Sequence, residues 1–576
     1  MHLHFLKKHK WIILIFLLAL FFRTWKLAEL PSGFHVDEVK VGWNAYSILK
    51  TGADDWGHRF PLYYNTFGDF RPTGYFYLTI PSILIFGLNE FAVRFPGALF
   101  GSLTIIIVYL LVRELSGSNR FTTHHISLFA AIMLAFSPWH ISLSRATSEG
   151  ITALFFALTG LLLLCRSVRL AKGSEQQSKV RHIGNLILSI LFFLASYFLY
   201  HSARLLVPLF ALLTIVYFLW PEFSKSKSKK VSYLDHLPGG TDSPPGVYPL
   251  IVCLLLFLTT LLFSLDPSAR GRFNQVSIFK DLDVQYELDK MPFEEGPGHV
   301  FKARLFHNKP SVYARRFVNE YAQYISSKFF LVPKEAKPAR YMTVGMGVLT
   351  YVEFFLLLAG LAAIAQKKSY TSLLPLGLLL LAPLPAALTT EDSPNLHRAL
   401  FMVPFLALVE AYGAYYLLRI NSRFSVRTLV STAFLANFVF FFHQYFVHNP
   451  VNAPLHRNAG AQELASKISQ VQTNYDKIIF TEIPDSPYPW IAFSGKFDPA
   501  IFNSAAKIRD KGIWGYKNYV FASQRCPSRD AFNDLGKILV VDADACETGN
   551  SPNGAHVLDQ IKRPDGTVVY TLWARD

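Results

Sequence analysis

The chain has 576 residues, of which 51% are hydrophobic and only 17% are charged. Soluble domains usually carry about 25% charged residues, so this composition excludes an ordinary water-soluble enzyme. The formal net charge is +16, but much of this excess lies in short segments between apolar runs, as in the cytoplasmic loops of membrane proteins, and predicts no nucleic-acid partner. The long apolar runs predict a polytopic α-helical membrane protein in a lipid bilayer.

Eleven apolar stretches approach the length that crosses about 30 Å of hydrocarbon. They cover residues 11–25, 91–112, 127–142, 151–166, 183–200, 202–220, 248–265, 346–365, 370–388, 398–418 and 427–447. A further apolar stretch, Tyr75–Phe86, is short and contains Pro81. We therefore predict an interfacial or re-entrant juxtamembrane helix there, and eleven transmembrane helices in all.

Basic residues indicate which helix ends face the cytoplasm. If Tyr75–Phe86 does not cross, one set of loops holds most of the Lys and Arg residues between spans, and the opposite short loops hold few. The basic residues of this set are Arg113, Arg120, Arg166, Arg169, Lys172, Lys179, Arg181, Lys225, Lys227, Lys229, Lys230, Lys367, Lys368, Arg419, Arg423 and Arg427. We therefore predict a multi-pass protein of the plasma membrane, with the N-terminus in the cytoplasm and the C-terminal domain outside.

This topology divides the chain into a transmembrane domain, residues 1–447, and a soluble outer domain, residues 448–576. The longer outer loops are residues 26–90 and 266–345, and two short outer turns cover residues 144–150 and 389–397. The patterns in the tail predict a helix at 462–472, strands at 477–481 and 538–542, and a hairpin at 557–573, which together indicate a small α/β domain. Whether Cys526 and Cys546 form a disulfide there stays open.

The acidic pair Asp37 and Glu38 lies just beyond the first apolar helix. On the predicted topology it sits at the outer mouth of the membrane domain. A carboxylate can deprotonate an acceptor hydroxyl, and an arginine such as Arg71 can hold a phosphate by paired hydrogen bonds. The structural alternatives are an acidic pair stabilised by a helix dipole and an arginine that reaches the membrane interface.

The segment resembles the GT-C glycosyltransferases of family 39 type, which include protein O-mannosyltransferases, the lipid A aminoarabinose transferase and prokaryotic relatives. Those enzymes carry an Asp-Glu pair in the first outer loop, matched here by Asp37 and Glu38. Their following Lys/Arg-Pro-Pro-Leu-Tyr-Tyr stretch is matched more loosely by the sequence Arg-Pro-Thr-Gly-Tyr at 71–75. Residues 91–101 and 137–146 are also similar, and the resemblance covers about residues 10–220.

This resemblance implies a GT-C-like fold and transfer of a sugar from a polyprenyl-phosphate donor to a glycan, lipid or protein acceptor of the cell envelope. It implies that Asp37 is the catalytic base, that Glu38 assists or positions, and that Glu149 is a second outer acidic residue. The expected donor-phosphate-binding residues are Arg71, Arg204, Arg398 and His201. The expected substrate-pocket residues are Asp69, Tyr75, Arg145, Tyr200 and His397.

Several of these residues have ordinary structural interpretations. Glu149 is also suited to capping the helix that follows it, and Arg145 and Arg204 to anchoring at lipid headgroups. His201 is more often a satisfied interface histidine than a ligand, so a divalent metal stays open and no other cofactor is predicted. The alternative function is a transporter or flippase for lipid-linked substrates. That alternative expects charges along a path through the membrane, whereas the predicted spans are almost free of Asp, Glu and Lys at their centres.

Overall fold

The computed structural model describes residues 2–66, 69–115, 120–171, 176–226, 247–266, 273, 275–367, 373–420, 424–480, 487–506, 514–522, 532, 536–543 and 554–575. Some residues named above lie outside these ranges. They are Lys172, Lys227, Lys229, Lys230, Lys368, Arg423, Cys526 and Cys546.

The helical domain follows the apolar pattern of the sequence. Its helices up to the third outer segment are α1 (His2–Thr24), α2 (Val36–Thr51), α3 (Gly74–Phe86), α4 (Glu90–Leu115), α5 (Arg120–Phe136), α6 (Pro138–Ser144), α7 (Glu149–Leu170), α8 (Gln176–Leu199), α9 (His201–Ser226) and α10 (Val247–Leu265). The later helices are α11 (Leu282–Glu294), α12 (Val300–Phe306), α13 (Lys309–Tyr324), α14 (Ser327–Leu331), α15 (Tyr351–Lys367), α16 (Leu373–Leu381), α17 (Leu384–Ala387), α18 (Val403–Ile420) and α19 (Phe424–His443). A hairpin of β1 (Tyr63–Thr66) and β2 (Asp69–Pro72) precedes α3.

All eleven predicted spans fall on helices, but the count of eleven is not confirmed. Among the described residues, seven helices are long and apolar enough to cross a membrane, and the bent pair α5 and α6 makes an eighth if it is one span. The pair bends by 57° between Phe136 and Pro138, because proline favours the first turn of a new helix. The helix α3 is short, as predicted, at 13 residues.

The predicted outer segments meet at one end of the helical domain. Ser148 Oγ lies 2.9 Å from His397 Nε2, which joins the second segment to the fourth, and a β-bridge joins the third to the fourth. The backbone N–H of Val36 donates to Asn458 Oδ1 at 3.1 Å, which joins the first segment to the C-terminal domain. These contacts place the segments together as the predicted alternation of helices requires, while the side of the membrane they face stays a prediction.

Close helix packing in this domain uses glycine. A Cβ atom on Gly360 would lie 2.0 Å from the carbonyl oxygen of Val409, and one on Gly413 would lie 2.1 Å from that of Leu356. Helices α15 and α18 can therefore approach each other only because these positions lack side chains, as is common between membrane helices.

The C-terminal domain is built on a six-stranded sheet. Its elements are α20 (Asn449–Asn452), α21 (Ala461–Val471), β3 (Lys477–Phe480), α22 (Tyr488–Ser494), α23 (Pro499–Ala506), β4 (Trp514–Tyr516), β5 (Tyr519–Phe521), β6 (Ile538–Ala543), β7 (His556–Lys562) and β8 (Val568–Arg575). The strand order is β4-β5-β3-β6-β8-β7, with β3 parallel to β5 and β6. Side chains alternate between two buried faces, with Ile479, Val540 and Trp573 on one and Ile478 and Leu539 on the other. The predicted helix, strands and hairpin are confirmed, whereas the domain boundary at residue 448 stays a prediction.

Candidate active site

A cavity of about 770 Å³ opens where the outer segments meet. Helices α2, α7, α8, α9, α10 and α17 contribute to its wall, together with β2 and several loops. Among the described residues, the charged and titratable side chains on this wall are Asp37, Arg71, Glu149, Tyr200, His201, Arg204, Arg340, Tyr341, Glu391, Asp392, His397 and Arg398. The acidic residue after the first helix therefore shares one cavity with the arginines of distant segments.

The first turn of α2 turns its two acidic residues to different sides. The side chain of His35 accepts a hydrogen bond from the backbone N–H of Asp37 at 3.1 Å, and the backbone N–H of His35 donates to Glu38 Oε2 at 3.1 Å, which closes a capping box. Consecutive residues of a helix point about 100° apart. Asp37 therefore faces the cavity, while Glu38 turns into the protein interior and is 3% exposed.

Two arginines bind the carboxylate of Asp37. Arg71 Nη1 lies 2.9 Å from Asp37 Oδ1, and Arg340 Nη2 lies 3.3 Å from Asp37 Oδ2. Burial alone would raise the pKa of Asp37, but the positive charges around it outweigh burial and hold that pKa well below its usual value. Burial lowers the pKa of the neighbouring His35 to about 4, so His35 is neutral at pH 7 and the two arginines keep Asp37 ionised.

The two arginines reach Asp37 from separate loops. The β1–β2 hairpin pairs Arg71 with Tyr64 and places it beside the N-terminus of α2. Arg340 lies in a 3₁₀ turn, Ala339–Tyr341, which follows a backbone pairing of residue 337 with the loop before α18. Because both loops are fixed by backbone hydrogen bonds, the two guanidinium groups are preorganised at the cavity wall.

Glu38 is the centre of a buried ion network. It accepts hydrogen bonds from Arg94 Nε and Nη2, both at 3.1 Å, from the backbone N–H of Thr147 at 3.1 Å and from Arg457 Nη2. Burial alone would raise the pKa of Glu38, but Arg457 and Arg94 lower it to about 2. The network ties α2 to α4, to the loop before α7 and to the C-terminal domain.

His397 organises the wall near Glu149. Its Nε2 lies 2.9 Å from Ser148 Oγ, and its ring contacts those of Tyr200 and Tyr341 at centroid distances of 5.0 and 5.5 Å. Burial first, and the nearby arginines second, lower the pKa of His397 to about 3. His397 is therefore a neutral packing and hydrogen-bonding group at pH 7 rather than a cation for phosphate.

Arg204 lies on the part of the wall formed by α9 and α10. Its Nε donates to the carbonyl oxygen of Tyr197 at 3.3 Å, and its guanidinium lies 4.6 Å from the ring centroid of Phe263. His201 contacts Arg204 through Nδ1 at 3.2 Å and the carbonyl oxygen of Phe70 through Nε2 at 3.0 Å. Both ring nitrogens of His201 therefore have hydrogen-bond partners within the protein, and this arrangement does not support a role as a metal ligand.

Arg398 also lines the cavity and is held by hydrogen bonds within its own loop. Its Nη1 donates to Thr389 Oγ1 at 2.9 Å, and its Nη2 lies 2.5 Å from Glu391 Oε2. Its backbone N–H donates to Asn395 Oδ1 at 2.9 Å. The guanidinium group of Arg398 is therefore held in place before any ligand binds. A phosphate would have to displace Glu391 from it or share it with Glu391.

Two residues predicted for the substrate pocket, Tyr75 and Arg145, are buried in the protein and do not line this cavity. The Tyr75 hydroxyl donates to the carbonyl oxygen of Val93 at 3.2 Å and accepts from the backbone N–H of Gly97 at 3.0 Å, so it joins α3 to α4. Arg145 is fully buried and donates to carbonyl oxygens at the end of α1, among them that of Phe22 at 2.6 Å. Helix ends leave such carbonyls without partners, and Arg145 satisfies them.

Asp69 stands in β2 opposite Thr66, and its side chain lies outside what the structure describes. Within the described part of the chain, no group of three or more His, Cys, Asp or Glu residues could hold a metal ion.

Sequence reasoning missed Arg340, Tyr341 and Arg457. Arg340 is one of many Lys and Arg residues in the long outer loop 266–345, so the sequence does not single it out. Nothing local distinguishes Arg457, because its role depends on a contact with Glu38, far away in sequence.

The family profile described as dolichyl-phosphate-mannose-protein mannosyltransferase matches residues 13–238. No curated protein sequence matches the chain. Among solved structures, ArnT from Cupriavidus metallidurans in the apo state is 11% identical with a TM-score of 0.52, covering 99% of this chain and 98% of that chain. ArnT bound to undecaprenyl phosphate is 12% identical with a TM-score of 0.51, covering 98% of this chain and 98% of that chain. The third structure is the oligosaccharyltransferase AglB from Archaeoglobus fulgidus, in complex with an inhibitory peptide and a dolichol-phosphate. It is 13% identical with a TM-score of 0.44, covering 85% of this chain and 64% of that chain, so this chain spans less than two thirds of AglB.

At this level of identity the likeness to ArnT establishes the fold, which extends over nearly the whole of both chains. Together with the matched family profile over residues 13–238, this fold is similar to that of the GT-C membrane glycosyltransferases. The matched part of the sequence carries Asp37, Arg71, Glu149 and Arg204, all of which line the cavity.

Proposed function

We propose that the chain transfers a hexosyl or pentosyl group from a polyprenyl-phosphate donor to an acceptor in the cavity, with Asp37 as the general base. The observation that carries this proposal is the position of Asp37, whose carboxylate faces a cavity of about 770 Å³ between Arg71 and Arg340. A carboxylate can take the proton of an acceptor, and guanidinium groups can hold a phosphate beside it.

The wall between α9 and α10 supports a lipid-linked donor. Leu205, Thr260 and Phe263 line the cavity there, next to Arg204. The outward face of α10 exposes large apolar side chains, namely Leu254, Phe257, Leu258, Leu261 and Leu262. A prenyl chain lying along this wall would place its phosphate near Arg204, and ArnT bound to undecaprenyl phosphate supports a polyprenyl phosphate as the lipid.

The chemistry follows from an exchange of ion pairs. Without donor, Arg71 and Arg340 pair with Asp37 and lower its basicity. A bound phosphate competes for the same guanidinium groups, which frees the carboxylate and raises its pKa. The acceptor hydroxyl then gives its proton to Asp37 while its oxygen attacks the anomeric carbon.

The sugar–phosphate bond breaks in the same step, and the phosphate leaves with the electron pair of that bond. Cavity arginines stabilise the charge that develops on the phosphate. Arg204 and Arg398 supplement the two arginines near Asp37, and Glu149 lines the same cavity, where it can orient acceptor hydroxyls. A one-step displacement inverts the anomeric configuration, as the family resemblance implies.

The positive-inside pattern places the cavity and the C-terminal domain on the outer face of the plasma membrane. The acceptor is then a glycan, lipid or protein of the cell envelope. A transporter or flippase is not favoured, because the matched family and the fold are those of glycosyltransferases.

The proposal can be tested with the purified full-length chain in lipid nanodiscs. Polyprenyl-phosphate-linked hexose and pentose donors, radiolabelled in the sugar, are supplied with envelope acceptors. Transfer should yield labelled acceptor and an equal amount of free polyprenyl phosphate. A lipid transporter would move the donor between leaflets and leave the sugar–phosphate bond intact. Failure to cleave either class of donor at any acceptor concentration would contradict the proposal.

Replacing Arg340 with methionine should shift the pH dependence of transfer. Arg340 is one of the charges that hold the pKa of Asp37 below its usual value of 3.8, so its removal raises that pKa. Because the base must be ionised, the acidic limb of kcat/KM should move to higher pH. The matched control is Arg398→Met, which removes a cavity arginine paired with Glu391 rather than Asp37. An acidic limb that stays in place in Arg340→Met would contradict the pairing.

A further inference from the structure

The C-terminal domain makes direct contact with the machinery around Asp37. Arg457, at the start of that domain, is 1% exposed. One end of its guanidinium, Nη2, donates to Glu38 Oε2, and the other, Nη1, donates to the carbonyl oxygen of Arg340 at 3.2 Å. Glu38 is the chain neighbour of Asp37, and the side chain of Arg340 is an ion-pair partner of Asp37. Arg457 therefore joins the two elements that set the position and the charge environment of the catalytic carboxylate.

The loop before α2 is fixed by the same domain. Asn458 Oδ1 accepts from the backbone N–H of Val36 at 3.1 Å, and Trp490 Nε1 donates to the carbonyl oxygen of Phe34 at 2.7 Å. Gly33 has φ of +84°, and a Cβ atom there would lie 2.6 Å from the carbonyl oxygen of Arg457. The chain therefore passes so close to the C-terminal domain that glycine is required at this point.

The body of α2 is packed against the domain as well. A Cβ atom on Gly42 would lie 2.6 Å from the ring of Phe493 on α22. Asn503 Nδ2 on α23 donates to Ser47 Oγ at 2.8 Å. Helix α2 is therefore held between the membrane helices on one side and the C-terminal domain on the other.

We propose that Arg457 is a positioning residue through which the C-terminal domain sets the geometry of Asp37 relative to Arg340 during transfer. This inference rests on the proposed function. It gives the domain a role inside the active centre, beyond covering the site or binding an acceptor. Displacement of reacting groups by about 1 Å can reduce the rate about 100-fold, so a bond that fixes both partners of an ion pair has a measurable effect on chemistry.

The test compares kinetics per folded molecule in nanodiscs for the parent, Arg457→Lys and Arg575→Lys. Lysine keeps the charge but cannot bridge Glu38 and the carbonyl of Arg340 at once. Arg575 is the control, because it donates to carbonyl oxygens within the same domain, including that of Gly536 at 3.2 Å. Arg457→Lys should lower kcat about 10- to 100-fold with donor KM within about twofold, whereas Arg575→Lys should leave both unchanged.

A pH profile separates positioning from simple loss of folded protein. The titratable and charged groups that face Asp37 are His35 at its own helix cap, Arg71 on β2, Arg340 and Tyr341 in their turn, Glu149 on α7 and His397 before α18. If Arg457 holds Arg340 in place, its substitution loosens the Arg340–Asp37 pair and moves the acidic limb of kcat/KM to higher pH. A purely structural role would change the folded fraction and leave the profile unmoved.

A milder variant keeps the inference testable if Arg457→Lys does not fold. Trp490→Phe removes the bond to the carbonyl of Phe34 while retaining an aromatic ring, and it should lower kcat severalfold with donor KM unchanged. Folded variants that retain the parent's kcat and pH profile would overturn the inference. Such a result differs from failure of the proposed function, in which the parent itself would not transfer sugar.

Discussion

Replacing Asp37 with asparagine should remove most of the sugar transfer and leave the protein folded and able to bind donor lipid. The variant lacks the carboxylate that we propose as the base, and loss of a positioned general base typically lowers kcat by about 10²- to 10⁴-fold. The side chain keeps its size, and the capping bond to His35 uses the backbone N–H of Asp37 rather than its carboxylate. The measurement is the rate of labelled acceptor formation at saturating donor.

Donor affinity provides the internal check for this variant. In the parent, Arg71 and Arg340 are both paired with the carboxylate of Asp37, which offsets part of their positive charge. In Asp37→Asn both guanidinium groups are released from the carboxylate, so polyprenyl phosphate should bind as tightly as in the parent or more tightly. Undiminished transfer at normal expression would reject Asp37 as the base, and loss of donor binding together with transfer would point to misfolding instead.

Replacing the adjacent Glu38 with glutamine should instead lower the stability of the fold. Arg94 and Arg457 are each 1% exposed and both are paired with this carboxylate. Removing one partner of a buried ion pair leaves uncompensated charge and typically costs about 3–5 kcal/mol of the free energy of unfolding. The measurement is unfolding in detergent micelles followed by tryptophan fluorescence.

The pair of variants forms a matched experiment, because each replaces a carboxylate by an amide on the same turn of α2. Asp37→Asn should unfold close to the parent, whereas Glu38→Gln should unfold much more readily. The parent should show a related dependence on pH, since the pKa of Glu38 is lowered from 4.5 to about 2. Its stabilising contribution is full above about pH 4.5 and is lost as the pH falls toward 2. Equal stability of Glu38→Gln and the parent would show that the network contributes little.

The sequence placed Asp37 and Glu38 in the outer segment beyond the first helix, where the structure has them, but did not distinguish their roles. The structural interpretation applies to Glu38, whereas the catalytic role of Asp37 stays a prediction. Glu38 caps the helix and satisfies buried arginines, while Asp37 faces the cavity. The distinction depends on which side of α2 packs against the protein, and helical periodicity by itself does not say which side that is.

The sequence was also unable to assign roles to the basic residues at the outer helix ends. Arg71, Arg204 and Arg398 were predicted at outer helix ends and all line the cavity. Arg145 was predicted there for the same reason, yet it satisfies the carbonyl groups at the end of α1. An arginine near a helix end can bind a substrate phosphate or the protein's own carbonyl groups, and only the packing of the neighbouring helix decides between them.

The sequence by itself determined the membrane class, the order of the apolar helices, the shortness of helix α3 and the β-rich tail. These are local properties, because the length and period of an apolar run limit the structures that can bury it. Tertiary structure alone decided that Arg340 pairs with Asp37 and that Arg457 reaches Glu38 from the C-terminal domain. Such pairs join residues hundreds of positions apart, and their geometry exists only once helices and domains have packed together.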